Sequence, residues 1–258
     1  MRAAVARGSD AIKVWFVVRQ SADTTALKAM IRGAGEEAHR LGARLIVHAT
    51  SLWAAKEALR AGADLLVHSV ENAPVDDEFL QLAREHRTSY TPTLTVVDGY
   101  RQVRGRRFEP HYPLGCVDPA TLAKARATDT IPGGTPQPAA DRRAQTTAAN
   151  LLAVHRAGIP VVMGTDAGNP LTLHGPSVYW EMALMQQAGM TPLEVLLAAT
   201  RNAALAMGRR DIGTVERGRL ADLVVLDADP LADIANVQRI RYVMRGGALT
   251  TPALLAPR

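Results

Sequence analysis

The chain has 258 residues, 47% of them hydrophobic and 21% charged, which is enough for one globular domain with a full core and a small appendage. Its net charge of +5 comes from arginines spread over many helix faces, and with 4% aromatic residues and no stacking motif this reads as solvated surface charge and argues against a nucleic-acid partner. Cys116 is the single cysteine, so no disulfide framework exists, and with no apolar run near the roughly 20 residues of a membrane span and no signal-peptide core after Met1, a cytoplasmic protein is expected.

Met1 to Arg7 reads as the end of a helix closed by Gly8, and Ala11 to Val18 as an apolar strand interrupted by Lys13. A lysine in a buried strand is costly unless it is paired, neutralised, modified or able to snorkel to water. From Thr24 the positions Leu27, Met30, Ile31, Ala34, Ala38 and Leu41 follow helical spacing up to Gly42. Arg44 to His48 is then a strand, Ser51 to Gly62 a helix, and Leu65 to His68 repeats the pattern of apolar strand followed by histidine. Strands separated by a helix are parallel neighbours with a right-handed crossover, so His48 and His68 emerge at the same end of one sheet. They are strand-end hydrogen-bonders or a pair of metal ligands.

Asp76 to His86 is expected as a helix and Ser89 to Leu94 as a short strand. Asp98 to Asp141 shows little periodicity and holds Arg101, Arg104, Arg106, Arg107, His111 and the Gly133-Gly134 pair, so it is expected to be a lid with a short helix near Pro119 to Thr128. Arg142 to Ala157 returns to helical spacing, and Pro160 to Met163 reads as a buried strand delivering Asp166 onto a glycine-flanked turn. Asp166 is either a turn-capping carboxylate or a reactive group at the carboxyl end of a parallel sheet. His174 follows, with the same choice between loop hydrogen bonding and a role toward substrate. Helices are expected from Ser177 to Ala188, from a capping box at Thr191 to Glu194, and through Asn202 to Met207. Ile212 to Val215, Ala221 to Asp227 and Arg241 to Gly247 then read as antiparallel strands of a small appendage.

Ile12-Lys13-Val14, Val47-His48-Ala49, Val67-His68-Ser69, Gly164-Thr165-Asp166-Ala167-Gly168 and the run from Gly213 to Leu226 resemble, in this order, the motifs of the amidohydrolase superfamily, nearest its imidazolonepropionase-like and dipeptidase-like branch. The resemblance covers nearly the whole chain. It implies a partial or distorted (β/α)8 barrel (strands four to eight) over 1–208 and a remnant of the composite β-sandwich over 209–258. It also implies a divalent metal, zinc by expectation, held by His48, His68 and a carboxylated Lys13, with Asp166 contacting metal and moving the proton. The family's strand-one His-x-His pair has no counterpart in this sequence. The resemblance therefore implies a barrel beginning just before strand four, with one metal position retained and an exposed edge through which copies self-associate.

On this reading the chain is a hydrolase of small esters or amides, with activated esters favoured because their leaving groups need less protonation, and His174 orienting substrate or stabilising an oxyanion. The alternatives are a metal-free site in which Asp166 and a histidine activate water, or a barrel without catalysis that serves as a binding or assembly module. A serine esterase is disfavoured because no Gly-x-Ser-x-Gly elbow occurs.

Overall fold

The computed structural model describes residues 1–18, 23–132 and 137–252. In chain order its elements are α1 (Arg2–Ala6), β1 (Ala11–Trp15), α2 (Thr24–Arg40), β2 (Arg44–His48), α3 (Leu52–Arg60), β3 (Leu65–Val67), α4 (Asp77–Glu85), β4 (Ser89–Thr91), α5 (Leu94–Gly105), α6 (Pro119–Arg126), α7 (Pro138–Arg156), α8 (Ser177–Gln187), α9 (Pro192–Ala199), α10 (Arg201–Ala206), β5 (Leu223–Leu226), β6 (Ile240–Arg245) and β7 (Ala248–Thr250). They fall into two compact units, one made of 1–92 and 145–162, the other of 93–144 and 163–258.

The first unit is built on a parallel sheet in the order β1-β2-β3-β4. Its register aligns Trp15 with His48 and His48 with Val67, which brings both histidine-bearing strand ends to one side, as the repeated strand-then-histidine pattern predicts. Side chains alternate across such a sheet. Ile12, Leu45, Val47 and Leu66 are buried on one face, beside the buried Ile31 and Ala38 of α2, Ala55 and Leu59 of α3 and Phe79 of α4. Lys13 and Trp15 alternate with them and are exposed. The helix starts follow their capping residues: Asp23 accepts from the amides of Thr25 and Ala26, Ser51 from Ala54 and Asp76 from Phe79.

Pro160 to Met163 is reduced to a bridge between Tyr90 and Val161, with the Tyr90 amide donating to the Pro160 carbonyl and the Val162 amide to the Tyr90 carbonyl, both at 2.9 Å. Glycine and proline on either side leave no length for a fuller strand. In the same unit Asn150 of α7 fastens the loop after β3. Its Nδ2 donates to the carbonyls of Val70 and Ala73 at 2.8 and 2.9 Å, and its Oδ1 accepts from the Val75 amide at 2.8 Å.

The second unit corrects the expected lid. The start of the Asp98–Asp141 stretch is helix α5, and the segment beyond it carries α6 and an apolar cluster of Phe108, Ala125 and Leu173 packed by Tyr112, Leu114, Val117, Leu122 and Leu171. Gly133 and Gly134 lie outside the described residues. The α5 periodicity is hidden by Gly99, where an added Cβ would stand 2.2 Å from the Pro170 carbonyl oxygen. Backbone contact takes the place of an apolar side chain there. The capping box at Thr191 and Glu194 is present in full. Ile212 to Thr214 form a bend and Val215 is irregular rather than a strand, and the antiparallel sheet is β5-β6-β7, with β7 in a place the sequence did not mark. Among the described residues no helix is long and apolar enough to cross a membrane.

Replacing Asn150 with alanine removes three hydrogen bonds and leaves one buried and two part-buried backbone groups without them, so a loss of roughly 1–3 kcal/mol is expected. Urea denaturation followed by far-UV circular dichroism measures it, and a midpoint equal to the parent's contradicts the role assigned to Asn150.

Candidate functional site

In the first unit the parallel register carries His48 and His68 together. Their rings meet edge to face with centroids 4.4 Å apart, and the Trp15 ring lies on the other contact of His48 at 5.1 Å. His68 has φ of +75°, an uncommon conformation for a residue with a Cβ, of the kind that collects at functional sites. Its amide donates to the Thr91 carbonyl at 2.9 Å. Next to it, Ser69 Oγ donates to the Thr147 carbonyl at 3.1 Å, so the Tyr90 hydroxyl must supply the proton of the 2.5 Å contact with Ser69 Oγ. Burial raises the Tyr90 phenol well above its ordinary range, consistent with that donor role.

Lys13 sits two residues before the register partner of His48, on the same face of the sheet. It is exposed, so the burial cost anticipated for it does not arise. Imidazole nitrogens are donors of the kind a divalent cation takes, whereas Lys13 offers a lone pair only when neutral or carboxylated. Among the described residues, no group of three or more His, Cys, Asp and Glu is arranged to hold a metal ion.

Asp166 and His174 belong to the second unit. Asp166 has φ of +52°. Its turn is closed by Asn169, whose Nδ2 donates to the Asp166 backbone carbonyl at 3.0 Å and to its Oδ2 at 2.8 Å. The Gly168 amide donates to the Thr172 carbonyl at 2.9 Å, and a Cβ on Gly168, at φ of +105°, would stand 3.4 Å from His174 Nε2. This turn borders a cavity of about 560 Å³ whose walls include Val103, Val117, Thr121, Lys124, Leu171 and His174.

Behind the turn lies a residue that sequence reasoning missed. Helix α5 begins at a left-handed Thr93 that provides no side-chain cap. Glu181, 0% exposed on α8, takes over: its Oε1 accepts from the Leu94 amide at 2.9 Å, and its Oε2 from the Thr95 amide and hydroxyl at 2.8 Å each. Thr95 Oγ1 also lies 3.2 Å from the Thr165 carbonyl, one residue before Asp166. The available signal was a lone charge inside Ser177-Val178-Tyr179-Trp180-Glu181-Met182-Ala183-Leu184-Met185, where no face is polar enough to solvate it. Nearby, Trp180 Nε1 donates to Asp98 Oδ2 at 2.8 Å and His111 stacks on the Trp180 ring at 3.9 Å, which fixes part of the stretch expected as a lid.

The model of the amidohydrolase family matches residues 3–250. The chain belongs to the amidohydrolase family. Over 106 residues this amidohydrolase is 42% identical to an imidazolonepropionase of Shouchella clausii, a match covering 39% of the chain and 24% of the relative. Over 99 residues it is 34% identical to an ochratoxinase of Aspergillus niger, covering 36% of the chain and 20% of that protein. A crystal structure of a Xaa-Pro dipeptidase with bound methionine superposes with a TM-score of 0.74 at 22% identity, over 97% of this chain and 56% of the dipeptidase, a likeness of fold. The alignments thus span about a quarter or less of those curated relatives and about half of the solved structure.

Burial raises the Glu181 carboxyl from its ordinary 4.5 to about 7, against the three donors that favour its ionised form. A carboxyl raised in the folded state contributes stability that is full below about pH 4.5 and is lost as pH rises through about 7. Glu181→Gln sets an amide N–H2 against one of two backbone donors and is expected to cost roughly 1–3 kcal/mol. Because the glutamine does not titrate, the stability difference between parent and variant, from denaturant melts, shrinks between pH 5 and pH 8. A difference that does not change with pH contradicts this account of Glu181.

Proposed function

We propose that this amidohydrolase is a metal-assisted hydrolase of small carboxylic esters, with amides as poorer substrates. The observation that carries the reading is the edge-to-face pair of His48 and His68 at matched strand ends, one of them in a left-handed conformation. These imidazoles would hold a divalent cation, zinc by preference, with Lys13 joining them as a carbamate. Bound there, the cation would supply Lewis acidity toward water and the scissile carbonyl.

The resemblance to the family assigns the proton chemistry to Asp166. Asp166 accepts the proton from the attacking water as general base, and the Asn169 amide fixes which carboxylate oxygen stays turned toward its own loop. His174, against Gly168 at the cavity wall, donates a hydrogen bond to the substrate oxygen. Val103, Val117, Leu171 and Leu173 give the cavity an apolar lining suited to a small acyl or leaving group. Activated esters suit this set of groups because their leaving groups depart without a protonating acid.

The same reading assigns 1–208 to a partial barrel and 209–258 to a remnant of a composite β-sandwich. It also makes β1 an association edge for a second copy. Among the described residues, β1 has a strand neighbour on one side only and carries Trp15 at 75% exposure. The expected outcome by light scattering is a dimer that Trp15→Glu converts to monomer, and a monomeric parent rules the edge out.

A panel of chromogenic esters and amides tests the catalytic reading. Asp166→Asn and His48→Ala are each expected to lower ester turnover by about a hundredfold or more. Turnover equal to the parent's in either variant removes that residue from the site. Ester hydrolysis that survives exhaustive chelation, with no metal found by elemental analysis, replaces the metal-assisted reading with a metal-free one. A parent inert toward the whole panel points to a binding or assembly module.

A further inference from the structure

We propose that Glu181 and Thr95 form a positioning pair for Asp166, acting through the carbonyl of Thr165; this rests on the reading of Asp166 as the proton acceptor. Glu181 is fully enclosed, and its hydrogen bonds go to Leu94 and Thr95. Capping α5 accounts for its contacts with the two backbone amides of Leu94 and Thr95. It does not account for the third contact, with a threonine hydroxyl that also reaches the peptide preceding Asp166.

That hydroxyl has one proton and two oxygen neighbours, Glu181 Oε2 at 2.8 Å and the Thr165 carbonyl at 3.2 Å. When the Glu181 carboxyl is neutral it donates to Thr95 Oγ1, and the threonine proton is released to the Thr165 carbonyl. When it is ionised it takes the threonine proton itself, and the Thr165 carbonyl loses its donor. Burial favours the neutral form. The Thr165 peptide leads directly into Asp166, whose φ of +52° must be held by its surroundings. Asn169 holds the turn from the far side through the Asp166 carbonyl and carboxylate. The Thr95 hydroxyl holds it from the near side, on a helix that Glu181 anchors.

The test uses Thr95→Val, Thr95→Ser, Glu181→Gln and the double variant, read by steady-state ester kinetics and by amide hydrogen exchange of the 163–168 segment. Thr95→Val is expected to lower kcat about tenfold with KM within about twofold, and to speed exchange of 163–168 about tenfold while α8 keeps its protection. Thr95→Ser, which restores the hydroxyl, returns both to parental values. The double variant is expected to lose no more than the more affected single variant, because the two residues act in series. If Thr95→Val does not fold, Thr95→Ala takes its place. Parental kcat and exchange in Thr95→Val, or losses that multiply in the double variant, overturn the proposal. If Asp166→Asn keeps parental turnover, the reading of Asp166 fails and the exchange measurement decides the positioning role by itself.

Discussion

Two backbone amides at the start of α5 set the constraint on which the second unit depends. A helix whose first residues are buried must satisfy N–H groups that have no partner in the preceding turn. The usual device is a side chain at the N-cap, and Thr93 cannot supply it from a left-handed conformation. The acceptor arrives instead from α8, in a carboxyl that is itself removed from water. A buried carboxyl is tolerable only when its oxygens are engaged, and a buried helix start only when its donors are. Each therefore makes the other admissible, and α5 and α8 are locked by a polar contact that apolar packing does not replace.

The location of the Asp166 turn follows from that lock. With α5 fixed, Gly99 brings its backbone against Pro170 at a distance no larger residue permits. The loop from Gly168 to Thr172 is then held by its own amides, and His174 is seated over Gly168. The first unit reaches comparable definition by a different route. There the parallel register alone puts the two histidines at one sheet end, and Tyr90, Ser69 and Thr147 form the buried chain next to the strained His68. Regular strand pairing produces the imidazole pair, while long-range side-chain bonds to backbone produce the aspartate turn.

That contrast explains what could be read from the residues. His48 and His68 were legible because strand period and helix length are local properties, and two local patterns at the same offset determine a shared sheet end. The capping box at Thr191 and the caps at Asp23, Ser51 and Asp76 were legible for the same reason. Helix α5 was not, because Gly99 serves a partner 71 positions away in sequence and leaves a gap in the apolar stripe where the close approach occurs. The strand before Asp166 was overestimated because an apolar run specifies burial without specifying how many ladder bonds its neighbour supplies. Glu181 was visible only as an anomaly, since nothing near it in sequence names the amides it caps.

Lys13 shows where the family pattern and the physical argument separate. In a strand buried on both faces, a lysine calls for neutralisation, and carboxylation answers that call while creating an oxygen donor. On the exposed face of β1 the side chain reaches water and no such pressure exists. Carboxylation at this position would then have to be driven by the ligand it creates and not by relief of burial. The imidazole pair differs in kind, because its geometry is fixed by strand register whether or not anything binds. The packing of His48 against His68 is therefore built by the fold in advance, whereas any modification of Lys13 would be a conditional addition.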